Sequence, residues 1–265
     1  MTGAVHNALN VLLAADPQQK VERVFALDAA WKASHDIGDM EAFLPDDPMR
    51  PSRPELVDPA KVPRRRPGSP AGRAALLHAI AHIELNAIDL ACDMIARFTY
   101  GGSITAHARP DFVSDWISVA CDEARHYGML ARRLARIGYG YGDFPAHNGL
   151  WEAALATREN VAARLAIAPL VLEARGLDVT PGIIRKLTSM NDSESAAILE
   201  TIYREEIRHV FIGSRWYHHV AHNELREPES YFKTLVKTYF KGELKPPFNR
   251  PARTLAELPE SYYAA

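Results

Sequence analysis

The 265-residue chain has only two cysteines, Cys92 and Cys121. Two thiols do not make a disulfide framework, and both lie in apolar stretches with helical spacing. We therefore expect buried free thiols in a reducing compartment. The chain also lacks an unbroken apolar run long enough to span a bilayer, and its first residues lack the basic region and apolar core of a secretory signal. These absences predict a cytoplasmic protein with no membrane partner.

The sequence also lacks a large net charge and the residue patterns typical of β-strands. The formal net charge is −2, so bulk electrostatics favours neither a nucleic acid nor a membrane surface as a partner. The run Arg64 to Arg66 is a local exception. It is consistent with a phosphate or tRNA contact, but a solvated loop is the favoured interpretation. No segment shows the alternating pattern of a strand, and the composition, 47% hydrophobic and 24% charged, is that of a globular protein, so we expect an all-α fold.

A doubled motif is the strongest feature of the chain. Residues 121–126 contain Glu-x-x-His within an apolar helical pattern, and residues 205–209 repeat it, including the arginine before the histidine. Each copy follows a helical stretch with a single glutamate on its apolar side. In chain order these residues are Glu84, Glu123, His126, Glu173, Glu206 and His209. One glutamate from each of two helices and one Glu-x-x-His from each of two others form the ligand set of a four-helix bundle that holds two metal ions.

Apolar residues at three- and four-residue spacing predict the four helices that carry these side chains. Pro169 should kink the third helix or open a bulge just before Glu173, and Gly176 should end it. Thr180 and Pro181 should cap a short helix that stops near Met190. The predicted helices are A at 73–98, B at 110–137, C at 150–175 and D at 193–220.

Around this bundle we predict one domain with three additions. Residues 1–44 form N-terminal helices, one of them capped by Asp16-Pro17. Residues 45–70, rich in proline, form an extended belt anchored by Leu44, Leu56 and Val62. Residues 73–220 form the bundle, and residues 221–265 form a helix from about Pro228 to Phe240 followed by a tail.

The two halves also repeat internally. Glu84 and Glu173 are each followed, five residues later, by an aspartate, with an aliphatic residue just before it. Together with the doubled Glu-x-x-His motif, this spacing predicts two related helix pairs and a pseudo-twofold metal site.

Four inward glutamates would repel one another strongly unless protons or metal ions compensated their charge. Two divalent cations supply four positive charges, and carboxylate with imidazole suits iron, manganese or zinc. Glu123 and Glu206 are the expected bridging ligands, with Glu84 and Glu173 terminal. His78 and His82 are candidates for outer ligands or for polar lining. Tyr127 and Tyr203 are candidates for hydrogen bonds to a ligand or to a metal-bound oxygen, with ordinary amphipathic tyrosines as the alternative. Asp89 and Asp178 are candidates for orienting the metal-bound histidines, with exposed carboxylates at helix ends as the alternative.

The pattern resembles the ferritin-like superfamily of dimetal-carboxylate proteins and, more narrowly, an uncharacterised bacterial ferritin-like family. The resemblance runs from about residue 8 to residue 263. It is carried by residues 78–85, 122–126, 173–178 and 205–210, by Gly213 and Trp216, and by 246–249 with Ala252 and Arg253. It implies a ferritin-like four-helix bundle and the six metal ligands, but not a substrate.

These observations predict a non-haem dimetal oxidoreductase, with iron expected and manganese the alternative. It would activate O₂ or peroxide and oxidise or hydroxylate an unidentified organic substrate. The alternatives are a ferroxidase or iron-handling protein, a peroxide-dismutating dimanganese protein, and a helical interaction module braced by metal. A tRNA substrate is not favoured, and the oligomeric state, with a homodimer as one option, stays open.

Overall fold

A computed structural model describes residues 3–40, 43–62 and 68–264. These residues form an all-α helical bundle without a β-strand, as the sequence predicts. The run Arg64 to Arg66 lies outside the described residues. The chain divides into two compact units. Unit 1 comprises residues 1–100 and 105–151, and unit 2 comprises residues 101–104 and 152–265.

Unit 1 begins with α1 (Ala4–Leu12) and α2 (Pro17–Ser34). The predicted cap of α2 is confirmed: the Asp16 carboxylate accepts a hydrogen bond from the Gln19 N–H at 2.9 Å, and Pro17 occupies the first turn. The main helix pair follows as α3 (Pro70–Asp93), which continues as a π-helical turn (Met94–Phe98), and α4 (Arg109–Arg136), packed along α3. Predicted helices A and B are thus confirmed within three residues at their ends.

The proline-rich segment between α2 and α3 is extended and contains one 3₁₀ turn, Pro59–Lys61. Its backbone pairs with the loop after α4, where the Val57 N–H donates to the Ala146 carbonyl at 2.8 Å. The Leu56 side chain is 43% exposed, so its predicted role as an apolar anchor is wrong. Backbone pairing and buried Pro48 and Pro54 hold the segment instead.

Helix α5 (Gly149–Ala156) contains the boundary between the units. Unit 2 continues with α6 (Val161–Ile167), a π-helical segment (Ala168–Glu173), α7 (Ala174–Ser189) and α8 (Ser193–Asn223). The helix α9 (Pro228–Tyr239) and the short α10 (Arg250–Leu255) and α11 (Glu260–Tyr263) complete the unit. Helix α8 packs against α7 and the π-helical segment, which gives unit 2 a helix pair of its own.

Predicted helix C is correct in its start near residue 150 and in its disruption at Pro169, but wrong in its continuity and in its end. The proline lies in the π-helical segment that ends at Glu173, as a residue without an N–H favours. The helix is broken after Ala156, because Asn160 caps α6 by accepting the Ala163 N–H at 2.9 Å. Gly176 does not end it, since α7 runs through Gly176, and Pro181 lies inside α7 instead of starting a helix.

Residues 70–98 are long and apolar enough to cross a membrane, although charged residues interrupt them. By length and composition alone, one such helix is weak evidence for a membrane span. Most of the stretch is buried inside the protein, as in the core helix of a soluble protein.

Both cysteines are free. Cys92 is buried as expected and Cys121 is partly exposed.

Candidate metal centre

In unit 1, α3 and α4 bring three of the predicted ligands together. Glu84 lies on α3, and Glu123 and His126 lie one turn apart on one face of α4. All three side chains are buried, and each offers a ligand atom within 4.8 Å of those of the other two. His126 Nδ1 lies 3.0 Å from a Glu84 oxygen and 3.6 Å from a Glu123 oxygen. This cluster of Glu and His could hold a metal ion.

The electrostatics of the cluster favours a cation. Burial disfavours a charged imidazole, but hydrogen bonds and charges from Glu123 and Glu84 outweigh burial and raise the pKa of His126 to about 11. In the metal-free protein the proton on His126 therefore compensates part of the buried carboxylate charge. A divalent ion bound by these residues would replace that proton and cancel the charge of both glutamates.

Unit 2 carries the second copy of the motif on α8. His209 is fully buried, and its Nδ1 lies 3.5 Å from a Glu206 oxygen. Glu173 is the last residue of the π-helical segment, which packs against α8. The larger helical turn before Glu173 agrees with the frequent use of π-bulges at functional sites. Each unit thus contains two glutamates and one histidine on a packed helix pair.

The two aspartates of the internal repeat have a different role from the predicted support of histidines. Asp89 is buried and forms an ion pair with Lys20 from α2, with Arg50 of the extended segment 3.6 Å away. Asp178 is held at 2.9 and 2.7 Å by two guanidinium nitrogens of Arg253 from α10. Each aspartate therefore ties an added segment of its own unit to the helix that carries the glutamate.

The histidines of α3 hold the loop that follows α4. Tyr141 in this loop lies 2.8 Å from His82 Nδ1, and the Gly142 N–H donates to His78 Nε2 at 2.9 Å. Burial lowers the pKa of both histidines to about 4, so both are neutral at pH 7. His82 was predicted as a supporting residue, whereas Tyr141 was missed. The only signal for Tyr141 was its position in a glycine-rich loop.

The two predicted tyrosines lie in different surroundings. Tyr127 of α4 is buried with its ring edge against Tyr141, at a centroid distance of 5.4 Å. Tyr203 of α8 accepts a hydrogen bond from the Asn249 amide at 2.9 Å, and the backbone N–H of Asn249 donates to Asp178. Tyr203 thus connects α8 to the C-terminal tail.

Comparison with known proteins supports a family but no activity. A family model described as "Protein of unknown function (DUF455)" matches residues 13–264. A protein of Haemophilus influenzae, described as uncharacterised, is 41% identical over 212 residues, which cover 78% of this chain and 74% of that protein. No solved structure matches.

Proposed function

We propose that this chain, which belongs to the DUF455 family of proteins of unknown function, is a ferritin-like dimetal-carboxylate oxidoreductase of the cytoplasm. The observation that carries the proposal is the buried trio Glu84, Glu123 and His126 of unit 1. Its counterpart in unit 2, Glu173, Glu206 and His209, supplies the same donors in the same chain order. In the proposed centre these six residues hold two metal ions, with iron expected and manganese the alternative.

The charges of the donors support two ions. Four carboxylates balance two divalent cations, with one histidine for each cation, and no thiolate is among the donors. In the proposal Glu84, Glu123, Glu173 and Glu206, together with His126 and His209, would hold these ions. Two such ions supply the reduction of O₂ or peroxide when they are bound. The chain supplies the carboxylates, of which Glu84 and Glu123 are buried among the side chains of α3 and α4, and burial strengthens the electrostatic interactions of the site.

The added segments favour an enzyme over a simple iron-storage protein. The extended segment and the loop after α4 cover α3 in unit 1, and the C-terminal tail covers α7 and α8 in unit 2. A storage shell has no need of such segments, whereas an enzyme uses them to enclose an organic substrate.

Oxygen uptake tests the redox part of the proposal. Full-length protein reconstituted with ferrous iron should consume O₂ faster than iron alone in the same buffer, and Glu123→Ala should lose this effect. Glu200→Ala changes an exposed glutamate on α8 and should keep it. If wild-type protein with two bound metals consumed O₂ no faster than free iron, the metals would only brace the bundle. A cage-sized particle in size-exclusion chromatography would point to iron storage.

A further inference from the structure

Helix α3 has a second polar face, distinct from the face that carries Glu84. His82, Asn86 and Asp89 lie three or four residues apart, so they follow one another along one side of the helix. Each is at least nine-tenths buried. Opposite them lie Arg50 and residues of the loop after α4, all within unit 1. The His82 ring meets both Tyr141 and the His147 carbonyl, at 2.8 and 3.1 Å.

Several polar atoms at this face are not satisfied by the protein. Across residues 3–40, 43–62 and 68–264, no hydrogen-bond partner reaches Arg50 Nη2, Asn86 Oδ1 or Asn148 Oδ1, although all three atoms are buried. The Asn86 amide nitrogen donates to the His82 carbonyl at 2.7 Å, which leaves its oxygen as the unused acceptor. A buried polar atom without a hydrogen bond is unfavourable, so a donor or acceptor from outside the chain is favoured here.

The contacts of His82 and Arg50 show that these atoms belong to one cluster. Asn148 directly follows His147, whose carbonyl lies against the His82 ring, and the Asn86 amide lies 3.2 Å from the same ring. The Arg50 charge disfavours protonation of His82 and opposes the rise in the pKa of Tyr141 that burial causes, so Arg50 lies near both. Arg50, Tyr141 and Asn148 are partly exposed, which gives the cluster access to solvent.

The matching aspartate of the internal repeat, Asp178, forms an ion pair that includes hydrogen bonds. Two guanidinium nitrogens of Arg253 donate to its carboxylate at 2.9 and 2.7 Å. Arg50 Nη2 forms an ion pair with Asp89 Oδ2 at 3.6 Å, which is beyond hydrogen-bond distance, while Lys20 holds the other oxygen, Oδ1. The Arg50 guanidinium also lies 5.9 Å from the centre of the Trp151 ring, a cation–π contact that orients it. Arg50 is therefore held in place by a charge and a ring, while its buried Nη2 makes no hydrogen bond.

We propose that this cluster binds a small organic acid that carries a hydroxyl or amino group on the carbon beside its carboxylate. Lys20 and Arg50 face one carboxylate, Asp89, so the cluster has one positive charge in excess, and the adjoining Asp93 is paired with Arg97 at 2.9 Å. The acid's carboxylate accepts hydrogen bonds from Arg50, as planar guanidinium groups favour. A hydroxyl group donates its one hydrogen to the side-chain oxygen of Asn86 or Asn148, and an amino group donates to both.

A matched set of probes tests each part of this recognition. Lactate and alanine carry both groups, propionate lacks the donor, and lactamide lacks the charge. Their affinities for the full-length protein are measured by isothermal titration calorimetry. We expect lactate or alanine to bind at least roughly tenfold more tightly than propionate and lactamide, since one lost hydrogen bond to a charged or buried group costs about 1.5 kcal/mol.

Variants locate the site and separate it from the proposed metal centre. Arg50→Gln should weaken lactate or alanine binding at least roughly tenfold, and Asn86→Leu should reduce the preference over propionate. Arg253→Lys perturbs the matched arginine of unit 2 and should leave binding unchanged, with folding of every variant verified by circular dichroism. If Glu123→Ala abolished binding and Arg50→Gln left it intact, the acid would bind to a metal, and the proposal would be overturned. Equal binding of all four probes, or of none at millimolar concentration, would also overturn it.

Discussion

Replacement of Gly213 by alanine probes how closely α8 packs on the π-helical segment that ends at Glu173. A Cβ atom at Gly213 would lie 2.4 Å from Pro169 Cβ and 2.5 Å from Pro169 Cγ. Ordinary carbon contacts are about 3.5–4 Å, so the two segments must separate by roughly 1 Å. The proline ring is part of the backbone and cannot rotate away.

The two opposing effects of Gly213→Ala can be weighed. Overpacking a well-packed contact costs about 1–3 kcal/mol. Alanine in a helix interior gains about 0.5–1 kcal/mol over glycine. The free energy of unfolding should therefore fall by about 1–2 kcal/mol. Because the displaced segment ends at Glu173, the variant should also bind metal less tightly.

Gly176→Ala is the matched control, since Gly176 lies inside α7 and an added Cβ meets nothing within 4 Å. Here only the helix-propensity gain remains, and stability should rise by up to about 1 kcal/mol with metal binding unchanged. Urea unfolding of the two variants and the wild type, followed by circular dichroism, gives the comparison.

The two variants should differ in stability by about 1.5–3 kcal/mol, with the wild type between them. If Gly213→Ala were as stable as Gly176→Ala and bound metal normally, the close contact between Gly213 and Pro169 would not be what positions Glu173.

Two further predictions concern buried charges. The pKa of His78 is 6.5 in the unfolded chain and about 4 in the native protein, so between these values the unfolded chain binds a proton that the native protein does not. The free energy of unfolding should therefore fall as the pH drops from 6.5 to 4, by about 2 kcal/mol at pH 5. The fall in urea-unfolding stability between pH 7.5 and 5 should be smaller in His78→Asn, and an equal fall would contradict the assignment. Asp178→Asn leaves the buried Arg253 charge without its carboxylate and should cost about 3–5 kcal/mol. Adding Arg253→Met to Asp178→Asn should recover much of that loss, and a double-mutant cycle measures the recovery. Additive losses in the cycle would show that the two side chains do not interact.

The sequence predicts the helices that carry the ligands well, because a long amphipathic pattern fixes both the type of element and its buried face. Helix α3 with its π-helical turn, α4 and α8 lie within three residues of their predicted ends. The disruption at Pro169 is likewise a local consequence of a residue that lacks an N–H. The pairing of Glu123 with His126 in unit 1 follows from their spacing on α4 alone.

Features that depend on contacts between distant segments were not predictable in the same way. The sequence shows Asp89 and Asp178 as a repeat but does not show that Lys20 and Arg253 pair with them. Gly176 looks like a helix end, yet the helix continues because α7 packs along α8 and this packing outweighs a single unfavourable residue. Tyr141 meets His82 only because the loop after α4 folds back over α3.

Metal analysis of the protein purified from its native host tests the central proposal most directly. The ligand set predicts about two metal ions per chain, iron or manganese, in the wild type and in Glu200→Ala. Glu123→Ala and Glu206→Ala should each lose bound metal while remaining folded. Wild-type stoichiometry in both ligand variants, or less than one metal per chain that reconstitution does not raise, would contradict the dimetal centre.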